Sequence, residues 1–122
     1  MKALLLVAHG SRRAESNDEV LALANELKGK CAEQYEIVNA AFLELADPLI
    51  PVGLERCIAD GARAISVLPY FLNSGRHVAE DIPNIVNAVR LRFPDVAITV
   101  APHVGASPLM MNLLTDSAKI AE

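Results

Sequence analysis

Residues 3–8 read Ala3-Leu4-Leu5-Leu6-Val7-Ala8, an apolar run with no polar alternation. A strand wetted on one face alternates, whereas an unbroken run belongs to a strand covered on both faces, the mark of a parallel sheet's centre. The run falls well short of the roughly twenty apolar residues a membrane span needs. It passes directly into His9-Gly10-Ser11-Arg12-Arg13 with no small-residue cleavage pattern, so a buried strand is a better reading than a signal peptide.

Outward from that strand, apolar runs alternate with stretches of helical period. Ser16-Asn17-Asp18-Glu19 has capping-box spacing, and Val20, Leu23, Ala24, Leu27 and Cys31 follow at helical intervals. A helix is predicted over about 16–32. Tyr35 to Leu43 reads as a second strand, and Asp47-Pro48 as the start of a helix whose buried stripe is Ile50, Leu54, Cys57 and Ile58, with Gly61 its stop. Ala64 to Pro69 is a third strand, followed by a loop of small polar residues from Tyr70 to His77. Val78, Ile82, Ile85, Val86, Val89 and Phe93 keep one face of a third helix, which Pro83 confines to about 81–92. Val96 to Ala101 is a fourth strand, and Ser107-Pro108 opens a last helix. The order β-α-β-α-β-α-β-α predicts one α/β domain over residues 1–122, a four-stranded parallel sheet with helices on both faces. In such a fold every loop that follows a strand emerges at the sheet's carboxyl edge, where ligands bind.

Composition narrows the function. With 122 residues and 52% hydrophobic side chains the chain fills a core without staples. Its 11 basic and 15 acidic side chains give a net charge of −4, against the basic surplus of a nucleic-acid binder and, with this hydrophobicity, against disorder. Cys31 and Cys57 form no C-x-x-C and neighbour no histidine, so both read as reduced, buried small hydrophobes of a cytoplasmic protein. No membrane partner and no nucleic acid are expected.

All three histidines follow strands. His9 ends the first, His77 lies in the loop after the third, and His103 follows the fourth. Glu44 stands at the end of the second strand, and Arg12, Arg13 and Arg76 flank the histidines at the same edge. Imidazoles with a carboxylate suit a divalent transition metal such as cobalt, nickel or iron, and neutral imidazole also accepts protons near neutral pH. Each residue has a plainer reading: His9 and His103 as structural turn histidines, Glu44 and Glu80 as exposed acids, the arginines as solvated loop charges. Glu80 is also a candidate second ligand or partner of a ligand. The chain has no G-x-G-x-x-G after its first strand, no phosphate-binding G-x-x-x-x-G-K-[ST], no G-x-S-x-G elbow and no H-E-x-x-H.

Three segments together resemble the class II tetrapyrrole chelatases, most nearly the small form of the sirohydrochlorin cobaltochelatases. They are Leu4-Leu5-Leu6-Val7-Ala8-His9-Gly10-Ser11-Arg12; Ala41-Phe42-Leu43-Glu44 with Asp47-Pro48; and Leu68 to Pro83, containing Gly75-Arg76-His77-Val78 and Asp81-Ile82-Pro83. The resemblance implies insertion of a divalent metal into sirohydrochlorin, on the anaerobic route to cobalamin, without ATP. It implies that His9 binds the metal and accepts a proton, and that His77 is a second metal ligand. Glu44 and the stretch Leu72, Asn73, Ser74, Gly75, Arg76 and His77 are implied to contact the tetrapyrrole. No cofactor is implied beyond the inserted ion, Co2+ being expected and Fe2+ or Ni2+ the alternatives; a non-catalytic metal or tetrapyrrole carrier is the reading from another class. Sirohydrochlorin carries many carboxylates, which Arg12, Arg13 and Arg76 are placed to meet. Long relatives hold two such lobes, so a homodimer is expected here. The family's Pro-Leu-Gly-type turn is replaced by Pro102-His103-Val104-Gly105, which leaves the role of His103 open.

Overall fold

The computed structural model describes residues 1–122. Its elements are β1 (Lys2–Ala8), α1 (Ala14–Lys30), β2 (Ile37–Phe42), α2 (Ile50–Ala59), β3 (Ala64–Pro69), α3 (Ile82–Arg92), β4 (Ala97–Val100) and α4 (Met110–Ile120). A π-helical turn, His77–Asp81, leads into α3, and a 3₁₀ turn, Val104–Ala106, precedes α4. The strands are all parallel in the order β2-β1-β3-β4, so the predicted four-stranded α/β architecture is the one observed.

β1 is the centre, as its unbroken apolar run requires, and Ala3 to Ala8 are all buried. Its side chains alternate between two unequal cores. Ala3, Leu5 and Val7 face α2 and α3, where they pack with Ala41, Ile50, Leu54, Cys57, Ile65, Val67, Ile82, Val86 and Val89. Leu6 faces α1 and meets Ala24 and Ala40, with Val20, Leu23 and Leu68 at the margin. The α1 side covers β2 and β1 but thins towards β3 and β4: Ser66 and Leu68 are half-buried, and Ala97 and Thr99 are exposed.

Three local expectations are corrected. α1 starts at Ala14 with no side-chain cap, so Ser16 and Glu19 form no capping box. Instead Asn17 closes the entry, its Oδ1 accepting from Ser11 N–H and its Nδ2 donating to the Ser11 carbonyl. α2 starts at Ile50, not at Asp47-Pro48, and Pro51 occupies its first turn. The chain before it is held beside the sheet, because Phe42 N–H donates to the Pro48 carbonyl. Cys57 is buried as expected, but Cys31 is only half-buried at the end of α1.

Candidate functional site

The strand order positions the site. Chain succession goes from β1 outward to β2 on one side, then back across to β3 on the other, so the crevice of this topology opens between the carboxyl ends of β1 and β3. His9 is the residue after β1, and the loop after β3 brings His77 back over the same crevice. Their ring centroids lie 4.7 Å apart with planes inclined at 56°.

Glu44 arrives by a different route. The β1–β2 ladder continues past the strand ends, with Leu43 N–H donating to the Ala8 carbonyl and Glu44 N–H to the His9 carbonyl. Glu44 Oε2 lies 3.6 Å from His9 Nε2. The approach depends on Gly10, which has φ +94°; a Cβ there would stand 1.7 Å from the Glu44 carbonyl oxygen. The next residue, Leu45, takes φ +67°, a left-handed conformation that costs a side chain of this kind about 1–2 kcal/mol.

Hydrogen bonding fixes how the two rings present themselves. His9 Nδ1 lies 2.9 Å from the Gly10 carbonyl, and His77 Nδ1 lies 2.8 Å from Asp81 Oδ2. Both partners only accept, so in each ring Nδ1 carries a proton and Nε2 is the nitrogen left free of these contacts. At 3.6 Å His9 Nε2 and Glu44 Oε2 are beyond hydrogen-bond distance but close enough to share a cation. No three His, Cys, Asp or Glu side chains converge on one metal-sized point. The two imidazoles meet as a pair, with Glu44 beside His9 alone.

The π-turn that carries His77 follows from Pro83. Proline has no N–H to donate to the Ala79 carbonyl, and its ring crowds that carbonyl, so the chain adopts a wider turn in which Ile82 N–H donates to the His77 carbonyl. His77 and Asp81, four residues apart, then share a face. Asp81, read from the sequence only as part of Asp81-Ile82-Pro83 and not as a site residue, touches His77 here. Its spacing from His77 was the available signal.

The remaining residues divide. Arg13 pairs with Glu15 at 3.3 Å and Arg76 with Glu80 at 3.8 Å, all four side chains largely exposed. Arg12 is exposed and unpaired. Glu80 thus turns to a neighbouring guanidinium and not to either histidine. Leu72 is 67% exposed and, with Tyr70 and Phe71, lines an apolar hollow of about 250 Å³. Tyr70 and Phe71 were not singled out from the sequence. Asn73, Ser74 and Gly75 are exposed in the same loop. His103 makes no side-chain hydrogen bond and no ion pair; its segment instead buttresses the β3 loop. Gly105 N–H donates to the Phe71 carbonyl, and a Cβ on Gly105 would stand 1.8 Å from the Leu72 carbonyl oxygen. A larger hollow of about 430 Å³, lined by Leu21, Asn39, Gly53 and Arg56, holds no histidine and no thiol. Burial pushes the Cys57 thiol up, partly offset by the Asn39 amide.

Comparison with known proteins places this geometry in context. The chain is 36% identical to the sirohydrochlorin cobaltochelatase of Methanocaldococcus jannaschii, over 97% of this chain and 98% of that one. It is 34% identical to the sirohydrochlorin ferrochelatase of Priestia megaterium, over 95% of this chain but 43% of that one. It superposes with a TM-score of 0.86, at 29% identity, on a cobalt complex of the sirohydrochlorin chelatase SirB from Bacillus subtilis subspecies spizizenii, covering 97% of this chain and 50% of the other. The chain thus spans less than half the length of the ferrochelatase and half that of SirB. The CbiX family model matches residues 3–121. By fold, by sequence and by nearly its whole length, the chain belongs to the CbiX family.

Proposed function

We propose that the chain inserts Co(II) into sirohydrochlorin, without ATP, as a step of anaerobic cobalamin formation in the cytoplasm. The observation that carries this reading is the meeting of His9 and His77 at the β1/β3 crevice, ring centroids 4.7 Å apart, with Glu44 Oε2 3.6 Å from His9 Nε2. Metallation replaces two pyrrole N–H bonds with two metal–nitrogen bonds and releases two protons. An incoming aquo-ion must shed water, and two Nε2 lone pairs replace part of that shell while leaving positions for ring nitrogens. Glu44 and His9 are placed to take the protons. The Tyr70-Phe71-Leu72 hollow offers an apolar wall for the macrocycle, and Arg12 and Arg76 offer charge for its carboxylates.

A second reading is iron or nickel insertion. Relatives of comparable similarity carry both cobalto- and ferrochelatase names, and imidazole with carboxylate accepts all three ions. Anaerobic assays of the purified protein with sirohydrochlorin and equal Co2+, Fe2+ or Ni2+ test both readings through the absorbance change of metallation. The greatest acceleration is expected with Co2+. Binding of macrocycle and metal with no rate above the spontaneous reaction would make the protein a carrier and overturn the enzymatic reading.

The working form we propose is a homodimer. A single copy supplies one lobe where SirB has a chain twice as long, and a twofold axis would give the crevice its second wall.

A further inference from the structure

The sheet is incompletely covered. An all-parallel sheet needs layers on both faces, because both carry apolar side chains. Here α2 and α3 cover one face, while on the other α1 covers only β2 and β1. The rest of that face is Ala64, Ser66 and Leu68 of β3 beside Ala97 and Thr99 of β4, half-buried or exposed throughout. Leu68 touches the margin of the α1 cluster, and Tyr35 reaches into the face, its hydroxyl 3.3 Å from Ser66 Oγ.

The helix that ought to lie there is elsewhere. α4 buries none of its residues, and its main neighbour is the 104–106 turn. Leu109, Met111, Leu113, Leu114 and Ile120 are each more than half exposed. Leu113, Leu114 and Ile120 recur at helical spacing with Leu109 one turn before them, and this is an apolar stripe that water does not stabilise. The helix's eleven residues span roughly 16 Å, and six-residue β3 spans roughly 20 Å. The β3–β4 face carries no charged side chain, and Asp116 is the one charge bordering the α4 stripe, at its edge beside Leu109. The two surfaces match in length, polarity and number, one of each per chain.

We propose that α4 crosses to a second copy of this chain and lies on that copy's bare β3–β4 face, the partner's α4 returning the same contact. The inference deepens the homodimer of the preceding section and rests on it. Reciprocal exchange is the closed, twofold solution for a chain that owns both a loose helix and the groove it fits. Each copy then covers both a helix stripe and a sheet face, so exchange hides about twice the area of a single helix contact and approaches the ~800 Å² per partner of stable interfaces. α4 leaves from the turn that Gly105 pins against Leu72, so the exchange joins the copies at the edge that carries His9 and His77.

The test uses the full chain with Cys31→Ser, Thr99→Cys and Leu113→Cys, under mild oxidation. A reductant-sensitive covalent dimer is expected, together with dimeric mass by light scattering before oxidation. An internal bridge, giving a covalent monomer of altered gel mobility, would show α4 folding on its own sheet and overturn the exchange. A noncovalent dimer that forms no bridge between copies would show that the subunits meet elsewhere and would equally overturn it. In the second arm, Leu113→Asp with Leu114→Asp should weaken dimerisation at least a hundredfold with the circular dichroism spectrum preserved, since neither residue is in the core; undiminished dimerisation would overturn the proposal. A wild-type protein that is monomeric yet accelerates metallation would remove both the exchange and the homodimer and leave the chelatase reading standing. Absence of metallation from a cross-linked dimer would do the reverse.

Discussion

Asp81 Oδ2 accepts a hydrogen bond from His77 Nδ1 at 2.8 Å, one turn further along the same π-to-α segment. The carboxylate fixes the tautomer of the ring and holds its orientation, leaving Nε2 as the atom to meet a metal. Asp81→Ala should therefore weaken Co2+ binding about tenfold to a hundredfold. Titration followed by the visible absorbance of bound cobalt checks this, with circular dichroism to show that α3 persists. Unchanged affinity would leave the contact as a helix-start ornament.

Glu44→Gln keeps the shape of the side chain but removes the charge that faces His9. The metallation rate with Co2+ should fall about a hundredfold, the lower range for loss of a positioned proton acceptor, while the unfolding midpoint in urea stays within error. A rate within twofold of the wild type would exclude Glu44 from proton transfer.

Gly10→Ala strikes backbone and site together. The new methyl would overlap the Glu44 carbonyl at a φ of +94°. The expected outcome is a loss of ~2 kcal/mol or more of stability by urea denaturation, together with a loss of metallation rate. By contrast, Gly53→Ala presses a methyl 2.8 Å from Ala41 Cβ beneath α2 and meets none of the site residues. It should cost about 1–3 kcal/mol and leave cobalt affinity unaltered.

The two thiols should separate by reactivity. Burial holds Cys57 in its neutral form above the usual thiol range, whereas Cys31 is half-exposed at the end of α1. In native protein at pH 8, iodoacetamide should modify Cys31 at least ten times faster, as mass spectrometry of the peptides would show. The linkage has a definite sign. The unfolded chain ionises Cys57 at a lower pH than the folded chain does. The stability associated with the neutral thiol is therefore complete below about pH 8.5 and declines as pH rises beyond it.

Much of the fold is legible along the chain. β3 lies where its apolar run predicts, and the stripes of α2 and α3 point into the core, because periodicity records which side of an element meets water. Element ends were less legible. Ser16 and Glu19 have the spacing of a cap, yet the chain turns helical at Ala14 because Asn17 and Ser11 close the entry between them. Asp47-Pro48 has the composition of a helix start, yet a hydrogen bond from Phe42 keeps it beside the sheet.

The local pattern thus establishes four strands, four helices and histidines at the carboxyl edge, because each of these depends on residues a few positions apart. The meeting of His9 with His77, the approach of Glu44 along an extended ladder, the pairing of Asp81 and the uncovered β3–β4 face depend on the order β2-β1-β3-β4 and on backbone bonds between distant segments. Neighbouring strands lie only about 4.8 Å apart, so exchanging two of them would move a histidine out of reach of its partner without altering the periodicity of any segment.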